Sequence, residues 1–228
     1  MYKIAIDGPG GAGKSSVAKA VAAALHITYV DTGALYRTIG LYVKEHGVDP
    51  HDTGAVVALL PGIRIELTYH DGSQCILLNG KNIGDEIRTQ EISMYASAVS
   101  AIPAVRDFLL ATQRNIAKTQ SVVMDGRDIG TVIFPDAEVK IFLTASAENR
   151  AERRYKELRE RGVDADYRII LEEIKTRDHN DSTRATAPLK QADDAVLLDN
   201  TGYTLNDSVA AVMKIIDAKR AGRPDYEK

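Results

Sequence analysis

Residues 8–15 read Gly-Pro-Gly-Gly-Ala-Gly-Lys-Ser, the spacing G-x-x-x-x-G-K-[ST], and with their flanks they constrain the fold more than any other stretch of the chain. The apolar run 2–6 leads into them, and Ser16-Val-Ala-Lys-Ala-Val21 opens a helical pattern behind them. Glycines let successive backbone amides turn inward as an anion nest, and the helix behind adds the positive end of its dipole. Such a loop cradles phosphates: Lys14 brings a point charge to the β and γ phosphates, and the Ser15 hydroxyl is placed to ligate Mg²⁺. A chance match in a chain of this size is roughly a 1% event on background composition. Gly8, Pro9, Gly10, Gly11, Ala12, Gly13, Lys14, Ser15 and Ser16 are therefore the expected triphosphate-binding residues.

The rest of the chain repeats the strand-then-helix rhythm of parallel βαβ units. Near-continuous apolar runs at 2–6, 27–30, 121–124, 139–143 and 195–198 suit strands buried on both faces. Helical patterns follow at 14–25, 34–46, 103–118, 147–161, 167–180 and 205–219. The expected fold is α/β: a P-loop parallel five-stranded sheet flanked by helices, in a single domain over residues 1–228. One region departs from it. Residues 64–69 and 74–79 alternate with period two on either side of Asp71-Gly72, a hairpin signal, and a short third strand is expected at 81–83. Residues of about 62–92 thus read as a small antiparallel insert, and the last residues, 221–228, as a frayed tail.

Composition removes several classes of function. The net charge of −3 is wrong for a nucleic-acid or anionic-membrane binder. Cys75 is the only cysteine, so neither an internal disulfide nor a cysteine-based zinc site can form, which fits a reducing compartment. The opening apolar run is too short for a signal h-region, and no stretch approaches the ~18 apolar residues of a membrane span. A cytoplasmic, self-contained monomer is expected.

A phosphate loop alone does not separate kinases from GTPases, motors or passive sensors. Asp31-Thr-Gly-Ala-Leu-Tyr-Arg37 sits at the carboxyl end of the second strand, where open α/β sheets bind ligands. Asp31 or Thr32 would cap the next helix, which leaves Tyr36 and Arg37, one turn in, to face the crevice. The run 121–124 ends in Asp125-Gly-Arg-Asp-Ile-Gly-Thr131, so Asp125 stands where a Walker-B-like carboxylate approaches Mg²⁺. Half of the sixteen arginines lie between Arg150 and Arg184, among nine acidic residues, so this is no basic nucleic-acid face. Pairs such as Arg153/Glu157 and Glu157/Arg161 have the spacing of helix-surface salt bridges. Arg177, Asp181 and Arg184 fall on one helical face if the helix runs that far, and two arginines around a carboxylate suit a phosphate and ribose hydroxyls.

Taken together, Gly8–Ser15, the 31–37 segment, Ala96-Ser97, Arg106, the 125–131 segment and Arg177-Asp-His-Asn-Asp-Ser-Thr-Arg184 followed by Ala187-Pro-Leu189 resemble the bacterial cytidylate kinase family. The resemblance runs from Tyr2 to about Ile215; Thr32 departs from it, since some members carry serine there. It implies a nucleoside monophosphate kinase-like fold and Mg²⁺-dependent transfer of the γ-phosphoryl group of ATP to CMP or dCMP. Carried onto this chain, it gives Lys14, Arg127 and Arg184 catalytic roles. Arg37, Arg127 and Arg184 would hold the CMP phosphate, with Thr32 and Tyr36 beside it. Ser97, Arg106 and Asp128 would read cytosine, and Arg177 and Asp181 would face the sugar. Arg153 would lie in a lid of about 148–162 over ATP. Ser15 would ligate Mg²⁺, with Asp125 acting through water. The 62–92 insert would be the monophosphate-binding region.

Two other readings stay open at this point: a kinase for another small acceptor such as UMP, AMP or shikimate, and a non-catalytic nucleotide sensor. No N-K-x-D-like motif supports a GTPase, and the five scattered histidines suggest no metal or catalytic role.

Overall fold

The computed structural model describes residues 1–70, 73–84 and 86–221. In chain order the elements are β1 (Lys3–Asp7), α1 (Lys14–Leu25), β2 (Thr28–Asp31), α2 (Thr32–Glu45), α3 (Thr53–Leu59), β3 (Ile65–His70), β4 (Ser73–Leu78) and β5 (Lys81–Asn82). There follow α4 (Gln90–Val99), α5 (Pro103–Ile116), β6 (Val122–Gly126), β7 (Val139–Thr144), α6 (Ala147–Glu160), α7 (Tyr167–Thr183), β8 (Val196–Asp199) and α8 (Leu205–Ala221). Short 3-10 turns occupy Leu60–Gly62 and Glu86–Arg88, and a single π-helical turn occupies Ile129–Ile133.

All five expected strands form one sheet of order β2-β6-β1-β7-β8, and every pairing in it is parallel. The unbroken apolar runs follow from cover on both faces. On one side α1 and α8 pack over Ile4, Ile6, Val139, Ile141 and Leu143. On the other, α5 and the π-helical turn cover Ala5, Val30, Val122 and Met124. Ile4, Ile6 and Met124 are fully buried, and each such side chain contributes roughly 1.5–3 kcal/mol of transfer free energy. Because the strands run the same way, the segments after β1, β2 and β6 emerge at one edge. The register Ile6↔Asp125 and Asp31↔Asp125 places Asp125 between its two neighbours there.

The insert is a three-stranded antiparallel sheet, β3-β4-β5, with the register Ile65↔Leu78 through His70↔Ser73. Its Ile76 and Leu78 join α2, α3, α4 and α5 in a second core. The expected Asp71-Gly72 turn and most of the 221–228 tail lie outside the described residues. A third, smaller cluster of Ala151, Leu158 and Ile170 ties α6 to α7.

Where boundaries differ, local chemistry decides. The helix expected from residue 34 begins at Thr32, because the Asp31 side chain caps it by accepting from the Ala34 amide at 2.8 Å. The helix expected to end at 180 runs to Thr183 and stops as Arg184 turns extended, ahead of Pro188. Helices α3 and α4 were not expected. The second had a legible signature: Thr89 caps it, and Ile92, Ala96 and Val99 are buried at i, i+4 and i+7. Among the described residues no single helix is long and apolar enough to cross a membrane.

Candidate active site

The phosphate loop takes its shape from backbone that side chains would obstruct. Gly8 has φ +147°, and a Cβ there would stand 1.9 Å from the Leu143 carbonyl oxygen on β7. Gly13, at φ 84°, precedes the first turn of α1. Lys14 is buried and its Nζ donates to the Pro9 carbonyl at 2.7 Å. Burial and the facing Arg127 hold its pKa well below the ordinary lysine value. An anion in the loop would favour its charged form. Two further bonds hold the loop from behind: Arg150 Nη1 donates to the Gly10 carbonyl at 2.8 Å, and Asn200 Nδ2 donates to the Ala12 carbonyl at 3.0 Å.

Asp125 ends β6 beside this loop. Its carboxylate accepts from Ser15 Oγ at 2.8 Å and from Tyr29 Oη at 2.9 Å. Burial pushes its pKa up to about 6, with the negative field of Asp31 adding to the rise. The Thr32 hydroxyl donates to the Asp125 carbonyl at 2.7 Å, tying α2 to β6. Asp31 pairs with Arg37 at 2.8 Å, and the backbone of Asp31 is gripped by Gln74 from the insert, whose Oε1 accepts from the Asp31 amide at 2.9 Å.

Opposite the loop lies a cluster of arginines and aspartates. Arg127 Nε donates to Asp181 Oδ2 at 2.8 Å. Burial opposes the charge on Arg127, but Asp181 and Asp125 outweigh it and its pKa is raised. Arg106 and Asp128 form a buried ion pair, and Arg106 Nη1 also donates to the Ser100 carbonyl at 3.1 Å. Its guanidinium lies over the Tyr36 ring, 5.6 Å from the centroid. Arg184 donates to Ser100 Oγ at 3.1 Å and sits 3.9 Å from Asp128. Burial, then repulsion by Arg127, lowers the Arg177 pKa to about 10. Arg37 Nε, Arg177 Nε and Arg184 Nη2 are buried without a hydrogen-bond partner among the described residues. Unpaired buried donors on cations are costly, so the cluster is built to receive an anion.

These groups line a cavity of about 160 Å³ whose wall includes Lys14, Thr32, Tyr36, Arg37, Ser97, Arg127, Asp128, Arg177, Asp181 and Arg184. Every residue expected at the acceptor is on that wall except Arg106, which lies behind Asp128. A wider cleft of about 540 Å³ adjoins it, lined by Gly13, Ser16 and Arg153, and the two share Gly10, Gly11, Lys14 and Ser15. Gly8, Pro9 and Ala12 complete the loop. Arg153 does not pair with Glu157: its Nη2 donates to the Asn200 carbonyl at 2.8 Å, while Glu157 pairs with Arg154 and Arg161.

Sequence reasoning missed several residues that shape the site. Arg150 was one of many arginines in its run, yet it is buried and pairs in bidentate fashion with Asp178, joining α6, α7 and the loop. Tyr29 lies inside an apolar strand run, and Asp7 reads only as the polar residue that ends the first one. Asp31 stood out only as a helix cap, with nothing to show that it also holds Arg37.

The sequence profile of the family described as "Cytidylate kinase" matches residues 4–218. Among curated relatives, the cytidylate kinase of Thermosipho melanesiensis is 49% identical over 217 residues, covering 95% of this chain and 97% of its own. That of Caldicellulosiruptor bescii is 47% identical over 212 residues, covering 93% and 94%. A crystal structure of an uncharacterized protein from Eubacterium ventriosum superposes with a TM-score of 0.51 at 15% identity, covering 96% of this chain and 99% of that one, a likeness of fold alone. On the match along nearly its whole length, this chain belongs to the cytidylate kinase family.

Proposed function

We propose that the enzyme transfers the γ-phosphoryl group of MgATP to CMP or dCMP, giving ADP and CDP or dCDP. The observation that carries this reading is Asp128, paired with the buried Arg106 behind it, on the wall of the same cavity as Arg37, Arg177, Arg184 and the phosphate-loop residues Lys14 and Ser15. Cytosine offers an amino donor at N4 and acceptors at N3 and O2, so one carboxylate and one donor read it. Uracil would turn a carbonyl toward Asp128 and leave buried groups unpaired, at about 1–3 kcal/mol each. Sites built on such bonds reject the wrong ligand by up to about 10⁴–10⁵.

The arginines divide the remaining work. Arg37, Arg127 and Arg184 hold the acceptor phosphate, with Thr32, Tyr36 and Ser97 around the nucleotide and Arg177 and Asp181 toward the sugar. The wider cleft takes ATP, its phosphates on Gly8–Ser16 and its outer part under Arg153. Residues of about 62–92 form the acceptor-binding region, which Gln74 ties to Asp31, and about 148–162 form the lid. The residues fit Mg²⁺: Ser15 Oγ and Asp125 are hard oxygen donors 2.8 Å apart beside the loop. Few protein ligands suffice, because Mg²⁺ keeps waters and substrate phosphates in its shell. When bound, the ion neutralises phosphate oxygens.

The phosphate monoester of the acceptor, with a second pKa of about 6, is already largely dianionic near neutral pH, so no protein base is needed. Catalysis reduces to aligning the two nucleotides and offsetting charge on the moving group, which Lys14, Arg127 and Arg184 do. Closure of the arginine-rich lid keeps water from the γ phosphate. The single cysteine favours a reducing, cytoplasmic compartment, and a self-contained α/β enzyme suits a monomer.

The test is ADP formation from MgATP with CMP, dCMP, UMP, AMP and GMP supplied separately, beside an ATP-only control. Turnover confined to CMP and dCMP is expected. Strong turnover with a purine or UMP would contradict the roles of Arg106 and Asp128.

A further inference from the structure

Asp7 ends β1 one residue before the phosphate loop, and the transfer reaction makes no use of it. Its side chain is 5% exposed, and burial pushes its pKa up to about 6 against the pull of two backbone amides. Burying a carboxylate is costly, so what it holds is informative. Oδ1 accepts from the Ile129 amide and Oδ2 from the Gly130 amide, each at 2.7 Å.

Those amides open the π-helical turn Ile129–Ile133, and Asp128 stands in its N-cap position. An aspartate there ordinarily turns its own carboxylate onto the amides two or three residues further on. Asp128 makes no such bond. Its carboxylate instead meets Arg106 and lies 3.9 Å from Arg184. Gly130 permits the close approach: a Cβ there would stand 3.3 Å from Asp7 Oδ2 and 3.1 Å from Lys140 Cδ.

We propose that Asp7 is a positioning residue for base selectivity: by capping the 129–133 turn from β1, it releases the Asp128 carboxylate to face the acceptor base. The inference rests on the base-reading role given to Asp128 under Proposed function. Without Asp7, two buried amides lose their acceptor, and the adjoining Asp128 is the carboxylate an N-cap would normally use. Turned that way, Asp128 deserts Arg106 and the base together. The same bond links the phosphate loop, which starts at Gly8, to the acceptor side of the site.

The experiment compares wild type, Asp7→Ala and Asp128→Asn for kcat/KM with CMP and with UMP at saturating MgATP, and adds a crystal structure of Asp7→Ala. The expected result is a fall of about tenfold in the CMP-to-UMP ratio of Asp7→Ala, the scale of one lost cap. It should appear mainly in the KM for CMP, with the KM for MgATP within about twofold of wild type on the same scale, and with Asp128 turned onto the Gly130 amide. A ratio unchanged from wild type, or an Asp128 still facing Arg106, overturns the proposal. If Asp128→Asn leaves the ratio unchanged, the base-reading role itself fails, while the orientation of Asp128 in the Asp7→Ala structure still decides the capping claim. Should Asp7→Ala not fold, Asp7→Asn keeps one acceptor and carries the same readouts, with an expected fall of about threefold.

Discussion

Arg106 on α5 and Asp128 after β6 form an ion pair whose two side chains are only 7% and 6% exposed. A buried pair of this kind adds little to stability against an apolar replacement, yet removing one partner leaves a stranded charge. Arg106→Met should therefore lower unfolding free energy by up to ~3–5 kcal/mol, less whatever Arg184 restores from 3.9 Å. The double variant Arg106→Met/Asp128→Leu should recover much of that loss in urea titrations while remaining unable to use CMP. Equal destabilisation in the single and double variants would show that the pair is not the determinant.

Arg184 leaves α7 at its C-cap, donates to Ser100 Oγ, lies on the cavity wall and keeps Nη2 buried without a hydrogen-bond partner among the described residues, 3.9 Å from Asp128. Arg184→Ala should reduce turnover at saturating CMP by about 10³, the scale of an arginine that offsets transition-state charge. Turnover within a few-fold of wild type would remove Arg184 from the phosphate clamp.

Ser15 Oγ is 2.8 Å from Asp125 Oδ2, the pair of oxygens proposed above to hold Mg²⁺. Ser15→Ala should raise the Mg²⁺ concentration for half-maximal rate by about tenfold, the lower range for loss of a metal-orienting group. Titrating Mg²⁺ at fixed ATP and CMP measures it directly. An unaltered Mg²⁺ midpoint with a lower rate would place Ser15 in loop shape only.

The raised pKa of Asp7 gives a signed pH dependence. The unfolded chain releases this proton near 3.8 and the folded protein only near 6. The contribution is thus fully present below about pH 4 and is lost as pH rises through about 6, over a total of roughly 3 kcal/mol at most. Thermal unfolding of wild type relative to Asp7→Asn should show the difference falling between those limits and level above pH 7. A difference independent of pH would mean that Asp7 titrates normally.

Much of the main sheet was legible in sequence because parallel strands covered on both faces write themselves as unbroken apolar runs. Helix α4 escaped, although its Thr89 cap and its Ile92, Ala96 and Val99 spacing are legible, because its start falls within the 62–92 stretch read as an antiparallel insert. In the site, residues on the cavity wall stood out as clustered motifs. Residues that act on other residues did not: Asp7 reaches across 122 and 123 positions to its amides, and Gln74 reaches across 43 to Asp31. Their chemistry exists only after the strands pair, so no local pattern carries it. Arg150 is a related case, one basic residue in a helix rich in them until folding buries it against Asp178 and Gly10.

Base selectivity is measured most directly in a competition assay with MgATP labelled at the γ phosphorus and equal concentrations of CMP and UMP. Because both acceptors draw on the same enzyme, the ratio of labelled CDP to labelled UDP is the ratio of their kcat/KM values. Labelled CDP should exceed labelled UDP by at least about 10², as expected where the wrong base strands buried polar groups. Comparable labelling of the two products, or label released chiefly as inorganic phosphate, would contradict it.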